Sequence, residues 1–433
     1  MNNLKKIAVL GAGYVGLPLS VAFGSKFKTI VYDVNKIRIN NLKKNIDTTK
    51  TFTKRDIRQV KYLKFTNDIE DIKNCNTFIV TVPTPVNKQK NPDLTDLSSA
   101  CKLIGTVLKH KDVVIFESTV YPGATEEVCV PILEQYSKLV FLNEKNKKKI
   151  KKNYFYCGYS PERINPGDKT RSLQNIVKIT SGSTKYISKK IDDLYRTIIL
   201  SGTYNVDSIK VAEAAKIIEN TQRDVNIALI NELSIIFKKM KIDTEKVLKA
   251  AETKWNFQSY RPGLVGGHCI GVDPYYLSYK SIELGYLPQI ILSGRKINDE
   301  MSNHIASDIL AMMTEKNIKI LKSNILLMGF TFKENCNDIR NTKVFDLYNK
   351  LKRFNCNVDI FDPNCDKDSI YRDYKIKITE KPKKNNYDAV IILVAHKIFK
   401  KKGISFVKSF SKRKSLIYDI KYMFSQDEVD GRI

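Results

Sequence analysis

A chain of 433 residues with 42% hydrophobic and 28% charged positions, 19 Gly and 13 Pro has the composition of a folded protein of two to three domains. That excludes a collagen-like repeat, a disordered chain and a small disulfide-stapled scaffold. Lys and Arg number 74 against 46 Asp and Glu, a net charge of +28, which raises nucleic acid or an anionic membrane as partners. The excess is spread along the chain with no zinc-finger, RRM or helix-turn-helix signature to aim it, so no nucleic-acid partner is expected. A smaller part of it can serve a polyanionic ligand. Cys75, Cys101, Cys129, Cys157, Cys269, Cys336, Cys356 and Cys365 include no CxxC pair; a reduced, cytoplasmic compartment is expected.

In chain order, Lys5-Lys6 and the uncharged run Ile7 to Ser25 superficially resemble a signal peptide or anchor. Gly11, Gly13, Gly16 and Pro18 interrupt the run, and Ile30-Val31-Tyr32-Asp33 resumes as a strand would, so neither secretion nor membrane insertion is expected. Ile7–Leu10, Thr29–Asp33, Thr77–Val82 and Val113–Glu117 read as strands alternating with helical patterns, which is the order of a parallel sheet. The Lys-rich stretch Ser137–Asn153 reads as an exposed loop. Asp207–Met240 reads as one helix, unbroken by Gly or Pro; at 1.5 Å per residue it runs ~50 Å, a length suited to joining domains or forming a subunit interface. A Gly-rich loop at 261–271 and helix to about residue 317 precede a second alternation at Asn324–Phe330, Val358–Asp362, Ala389–Val394 and Ser415–Ile420. The expected fold class is α/β, two Rossmann-like parallel-sheet domains joined by a long central helix and a helical domain, with boundaries at 1–205, 206–317 and 318–433.

Gly11-Ala12-Gly13-Tyr14-Val15-Gly16 follows a strand, opens a helical pattern, and has Asp33 at the end of the next strand. Glycines there let the backbone approach a pyrophosphate at a helix N-terminus, and the carboxylate suits ribose hydroxyls. Asp33 would repel a 2′-phosphate and favours NAD over NADP; nearby Lys36 and Arg38 weigh the other way, and FAD uses the same fingerprint. Val82-Pro83-Thr84-Pro85 and Glu117-Ser118-Thr119-Val120-Tyr121-Pro122-Gly123 end later strands. Thr84, Ser118 and Thr119 are therefore placed either to meet cofactor or substrate or merely to shape turns.

Arg261-Pro262-Gly263-Leu264-Val265-Gly266-Gly267-His268-Cys269-Ile270-Gly271-Val272-Asp273-Pro274 is the sharper signal. Its glycines are hard to explain by packing and leave backbone amides open beside a candidate nucleophile, Cys269. No second Cys or His sits at ligand spacing, so no metal is expected. On the long helix Lys216, Asn220 and Arg223 share one face; they form either a solvated stripe or the lining of a cleft.

Together these motifs resemble the UDP-glucose/GDP-mannose dehydrogenase superfamily from residue 5 to about residue 425. Residues 263–276 and Ser160-Pro161-Glu162-Arg163-Ile164-Asn165-Pro166-Gly167 are similar to its UDP-N-acetylhexosamine branch; Pro166 stands where UDP-glucose enzymes carry a second Glu. The resemblance implies NAD-dependent four-electron oxidation of a sugar C6 hydroxyl through a thiohemiacetal and thioester on Cys269. The implied substrate is a UDP-sugar, UDP-N-acetylglucosamine foremost, with the UDP-N-acetylgalactosamine, UDP-N-acetylmannosamine and UDP-glucose reactions as alternatives. It gives Lys216 and Asn220 an oxyanion to stabilise, and gives Glu162, Thr119 and Asp273 a water to position or deprotonate. The implied cofactor residues are Gly11, Gly13, Tyr14, Val15, Gly16, Asp33, Arg38, Thr84, Ser118, Thr119 and Arg340. Those implied for substrate are Glu162, Arg163, Ile164, Lys216, Asn220, Arg223, Arg261, Gly266, Phe332, Lys333 and Lys421. A homodimer built on the central helix is implied as well. From other classes, a 3-hydroxyacid dehydrogenase would need neither Cys269 nor residues 320–433, and a basic nucleic-acid or NAD-binding protein gives no reason for Gly-Gly-His-Cys.

Overall fold

A computed structural model of the chain, described over residues 4–163 and 173–433, divides into two compact units. Unit 1 is Met1–Glu219 with Tyr275–Gly285, and unit 2 is Asn220–Pro274 with Tyr286–Ile433. Unit 1 holds strands β1 (Lys6–Leu10), β2 (Lys28–Tyr32), β3 (Leu63–Thr66), β4 (Thr77–Val80), β5 (Val113–Phe116), β6 (Val140–Phe141), β7 (Tyr154–Tyr159), β8 (Lys178–Gly182) and β9 (Thr203–Asn205). They lie in the order β3-β2-β1-β4-β5-β7-β8-β9, with β6 paired to β7. Every pair is parallel except β7 with β8. Chain order reverses at β1, which has β2 on one side and β4 on the other. That reversal opens a crevice at the carboxyl ends of β1 and β4, where ligands of such sheets bind. β4 and β5 are buried at every residue, which explains their continuous Val, Ile, Phe and Thr runs without alternation.

The Ser137–Asn153 stretch is not wholly the exposed loop expected from its lysines. Val140 and Phe141 form β6, and Phe141 and Leu142 are buried; the apolar triplet is enough to pair with β7, while the lysines that follow lie in turns. The long helix is Ile209–Lys239, slightly shorter at both ends than the Asp207–Met240 pattern. Its first part belongs to unit 1 and its remainder, from Asn220, to unit 2.

Unit 2 carries β10 (Asn324–Met328), β11 (Asn357–Phe361), β12 (Tyr387–Ile392), β13 (Ser411–Asp419) and β14 (Gly431–Arg432). They form one parallel sheet in the order β11-β10-β12-β13-β14. One face is covered by the helix Gln289–Glu315, whose Met301, Ile305, Ile309 and Met313 join Ile325, Leu327 and Ile391 in the core. Two α/β units with parallel sheets are therefore present, as expected.

At the carboxyl end of β5 a buried charge cluster replaces apolar packing. Glu117 receives Lys178 Nζ at 2.6 Å, with both side chains essentially inaccessible, and also accepts the hydroxyl of Tyr195. Burial, and then the Glu117 charge, push the Tyr195 phenol well above its ordinary range. Breaking a buried pair leaves a charge without compensation, at a cost of about 3–5 kcal/mol. Lys178→Met should lower the urea midpoint of unfolding accordingly, and the double variant Lys178→Met/Glu117→Gln should recover part of the loss; an unchanged midpoint in the single variant would show the pair to be dispensable.

Candidate active site

Unit 1 presents a glycine-lined cradle at the turn after β1. Gly11 has φ +103°, and a β-carbon there would lie 2.9 Å from the Thr81 carbonyl oxygen; at Gly16 it would run into Gly11 O and Thr81 Oγ1. Thr81, just past β4, donates its hydroxyl to Leu10 O at 2.9 Å and Gly11 O at 3.1 Å, stapling the turn to the neighbouring strand. Gly13 is exposed with nothing within 4 Å of a β-carbon, so the cradle is open on that side. No acidic residue occupies the first turn of the helix Gly16–Gly24. These features fit a dinucleotide pyrophosphate against the helix N-terminus. Tyr14 and Val15 line the approach, both half-buried.

Asp33 accepts the N–H of Ala12 at 2.7 Å and of Asn35 at 2.8 Å, which aims a carboxylate with lone pairs to spare at the crevice mouth. Arg38, which left NADP open on sequence grounds, is buried and committed elsewhere. It pairs with Asp47 at 2.8 Å and donates to Ala12 O at 3.0 Å and Thr48 Oγ1 at 2.8 Å. Its charge is matched by Asp47, and its Nε bond to Ala12 O braces the fingerprint turn.

The two Thr-bearing turns hold each other. Thr84 Oγ1 donates to Thr119 O at 2.6 Å, Ser118 Oγ donates to Val82 O at 2.6 Å, and Tyr159 OH donates to Ser118 O at 3.1 Å. The buried Tyr276, from the helix Asp273–Glu283, donates its hydroxyl to Thr84 O and, at 3.3 Å, to Pro85 O. Glu213 of the long helix accepts the N–H of Gly123 at 2.6 Å and of Thr125 at 3.0 Å. Burial pushes its carboxyl up to about 7 in spite of those bonds. One turn further along the helix, Lys216 is buried, 5% exposed. Glu162 is half-buried, and Arg163 pairs with Glu219 at 2.7 Å and donates to Val177 O at 2.9 Å. Ile164, expected at the substrate, lies outside the described residues.

Unit 2 gathers the second group. The loop 261–271 is fixed at two glycines with positive φ, Gly263 (+153°) and Gly267 (+84°). Asn231 takes both sides of the Gly263 residue, accepting its N–H at 2.7 Å and donating to its carbonyl at 3.1 Å. Asn341 does the same at Gly267, its backbone carbonyl accepting that N–H at 3.2 Å and its side-chain amide donating to that carbonyl at 2.9 Å. A β-carbon on Gly266 would lie 2.7 Å from Asn341 O, and one on Gly267 2.8 Å from the Phe332 ring. Cys269 is exposed, whereas five of the other cysteines are buried and Cys336 and Cys365 half-buried. The Cys269 carbonyl accepts Val272 N–H at 3.0 Å and Asp273 N–H at 2.8 Å, so Cys269 sits on the turn that starts the next helix. Asn220 Nδ2 donates to Asp273 Oδ2 at 2.6 Å; both are buried.

Around that loop, Lys421 Nζ would lie 3.4 Å from a β-carbon on Gly263, and burial pushes its ammonium down from the ordinary lysine range. Lys333 Nζ lies 5.5 Å from the centre of the Phe332 ring. Arg261 is held by Glu245 at 2.8 Å and by Glu252. Arg340, 48% exposed on its side chain, is bidentate on Asp338 at 3.0 and 2.7 Å. Arg223 is exposed. Burial, then the nearby charge of Arg340, lowers the His268 imidazole, so that it is neutral at physiological pH. Among the described residues no group of three or more His, Cys, Asp or Glu is placed to hold a metal ion, and no helix is long and apolar enough to cross a membrane.

Sequence models of the UDP-glucose/GDP-mannose dehydrogenase family match residues 5–199 as the NAD binding domain, 210–300 as the central domain and 326–426 as the UDP binding domain. The chain belongs to this family. It is thus a dehydrogenase with an NAD-binding domain. It is 53% identical over 428 residues to the UDP-N-acetyl-D-glucosamine 6-dehydrogenase of Salmonella typhi, covering 99% of this chain and 98% of that one. To the enzyme of the same description from Pseudomonas aeruginosa it is 51% identical, with 99% of each chain covered. Among solved structures it is similar to the UDP-D-ManNAc dehydrogenase of Pyrococcus horikoshii, with a TM-score of 0.84 at 27% identity over 97% of this chain and 96% of that one.

In this family member the sequence patterns point to the loops but not to what holds them. Thr81, Glu213, Tyr276, Asn231 and Asn341 carry no local signature, because each acts on a backbone group far away in sequence. Glu213 is open to a direct test. In the unfolded chain it titrates in the ordinary range and in the fold near 7, so the folded state holds the extra proton between those values. Its contribution to stability therefore falls as pH rises through that window and is flat above about 7. The stability of the parent relative to Glu213→Gln should fall as pH rises from about 5 to 7, by up to about 1.4 kcal/mol per pH unit. Urea titrations of both proteins at stepped pH check this, and a difference that rises or stays level with pH would contradict it.

Proposed function

We propose that this chain oxidises the C6 primary alcohol of a UDP-N-acetylhexosamine, UDP-N-acetylglucosamine first, to the carboxylate in two NAD-dependent steps. The carrying observation is Cys269, exposed on a loop whose two left-handed glycines are each clamped on both sides, in a chain more than half identical along its length to enzymes described as UDP-N-acetyl-D-glucosamine 6-dehydrogenases. Alcohol to carboxylate is a loss of four electrons: one alcohol, two NAD and one water give one carboxylate, two NADH and three protons. NAD supplies the hydride acceptor in both steps. Gly11, Gly13, Tyr14, Val15, Gly16, Asp33, Thr84, Ser118 and Thr119 would hold it, with Arg38 bracing the turn and Arg340 as a further cationic contact.

The chain's own groups account for the rest. Lys216, an ammonium in a buried position, stabilises the alkoxide as the C6 hydroxyl loses its proton. The Cys269 thiolate then adds to the aldehyde carbon; the thiohemiacetal keeps one C–H, and loss of the second hydride leaves a thioester. Asn220 works with Lys216 on the oxyanion and fixes the Asp273 carboxylate. Asp273, Glu162 and Thr119 orient the water whose oxygen displaces sulfur, and the thiol recovers a proton. Phe332, Lys333, Lys421, Arg261, Gly266, Arg163 and Arg223 would receive the UDP-sugar, the cations meeting the diphosphate. Free cysteines throughout fit a cytoplasmic setting. Exposed Ile218, Leu229 and Ile236 on the long helix support a homodimer formed along it.

The test is NADH release against UDP-N-acetylglucosamine, UDP-N-acetylgalactosamine, UDP-N-acetylmannosamine, UDP-glucose and GDP-mannose. UDP-N-acetylglucosamine should give the highest kcat/KM and two NADH per sugar; one NADH with free aldehyde accumulating would overturn the mechanism, and a different best substrate the sugar assignment. Cys269→Ser should retain NADH binding and lose steady-state turnover, because a serine hydroxyl without an activating base is a poor nucleophile at neutral pH. Turnover at the parent rate would remove Cys269 from the reaction.

A further inference from the structure

The two parallel sheets close their first two strands alike. In unit 1 Gly11 (φ +103°) donates its N–H to Tyr32 O at 2.9 Å, while Asp33 accepts Ala12 N–H at 2.7 Å and Asn35 N–H at 2.8 Å. In unit 2 Gly329 (φ +99°) donates to Phe361 O at 2.8 Å, while Asp362 accepts Phe330 N–H at 2.6 Å and Asn364 N–H at 2.8 Å. Asp362 thus stands where the ribose-facing Asp33 stands, but it is enclosed. Thr331 N–H reaches the same oxygen at 3.1 Å, and His396 Nε2 lies 3.0 Å from it with both side chains fully inaccessible. A carboxylate so surrounded has nothing to offer a ribose.

The other face of the imidazole shows what the pair does instead. Asn335 donates its backbone N–H to His396 Nδ1 at 3.0 Å. A backbone N–H only donates, so this partner assigns Nδ1 as acceptor and Nε2 as the protonated nitrogen facing Asp362. The chain is therefore tied at 330–331 to Asp362 and at 335 to His396. Between those ties the Thr331 hydroxyl donates to Lys333 O at 2.9 Å. What lies inside the bracket is Phe332, whose ring is the surface on which Gly267 rests.

We propose that the buried His396–Asp362 pair is a positioning device for the nucleophile, holding Phe332 as the platform on which Gly267, and through it Cys269, is set. The proposal rests on Cys269 being the nucleophile, and His396 acts on it only through the loop. Misplacement by about 1 Å at a reacting atom costs on the order of 10²-fold in rate, so a remote tether of this kind has room to matter.

The experiment measures steady-state kinetics together with the rate at which iodoacetamide modifies Cys269 in the resting enzyme, followed by peptide mass mapping. His396→Leu removes the bonds to Asp362 and to Asn335 N–H, together with the contacts to Asn364 and Thr331. It should lower kcat by roughly 10- to 100-fold and shift the Cys269 alkylation rate by about threefold or more, since that rate follows access and environment. NADH affinity, which rests chiefly on the glycine turn and Asp33, should stay within about twofold. His396→Asn, whose amide oxygen can replace Nδ1 as acceptor for Asn335, should return both altered readouts toward the parent. An unchanged alkylation rate in a folded His396→Leu protein overturns the proposal, as does an Asn variant no better than Leu. If the Leu variant does not fold, Phe332→Ala on the half-buried loop tests the second link, and an unchanged alkylation rate there is equally fatal. Alkylation needs no turnover, so parent-level activity in Cys269→Ser would sink the functional reading without touching this measurement.

Discussion

The bidentate hold of Asn231 on Gly263 is the interaction on which the reactive loop depends. A Gly-rich segment brings its backbone close to a ligand because it lacks side chains, and for the same reason it has no intrinsic preference for one shape. Asn231 removes that freedom by taking both the N–H and the C=O of one residue, and it is itself held by Asn298, whose amide also bonds the carbonyl and carboxylate of Asp224. Asp224 in turn is paired with the buried Arg295. Every member lies inside unit 2 and is buried, so loosening any one leaves a polar group without a partner in low dielectric. Order at Gly263 is thereby linked to the packing of the long helix against the helix Gln289–Glu315.

Charge is used in the same way. The excess of Lys and Arg suggests a surface property, yet several arginines expected at the site are matched by acids. Arg38 is matched by Asp47, Arg163 by Glu219, Arg261 by Glu245 and Glu252, Arg340 by Asp338. Matched in this way, a guanidinium fixes geometry more than it raises the local potential. Lys421 differs: it is held beside Gly263, and burial weakens its hold on a proton. The nearby charges of Glu334 and Asp419 offset that effect only in part, so the ammonium beside the loop that carries Cys269 stays weakened.

Both α/β units, the dinucleotide fingerprint with Asp33, the long helix and Cys269 were legible in the sequence, because each is written in local spacing: a glycine rhythm, a strand run, a helical period. β6 was not, since lysines around Val140, Phe141 and Leu142 outvote three apolar residues in any composition window. The direction of Arg38 was not legible either, because its partner Asp47 is separated by a loop whose course no periodicity fixes. Asn231, Asn341, Glu213 and Tyr276 fall in the same class. Each reads locally as an ordinary helix or loop residue, and each matters through a backbone group brought to it by the fold. Local pattern identifies the glycine-rich segments, while long-range hydrogen bonding decides the shape in which they are presented.

The two sheets make the same point within one chain. Gly11 and Gly329 adopt nearly the same φ, and Asp33 and Asp362 grip equivalent backbone amides, so the turn after the first strand is built alike in both. What separates a cofactor cradle from a structural joint is the next few side chains. Unit 1 continues with Gly13, which leaves open space; unit 2 continues with Thr331, a buried side chain whose hydroxyl reaches Asp362 and His396. The crevice is filled at its floor in the second unit and open in the first. A Rossmann-like sheet therefore does not by itself imply a dinucleotide site, and here the absence of a glycine at one position, with a histidine arriving from beyond β12, turns the carboxylate left open in one unit into the enclosed loop anchor of the other.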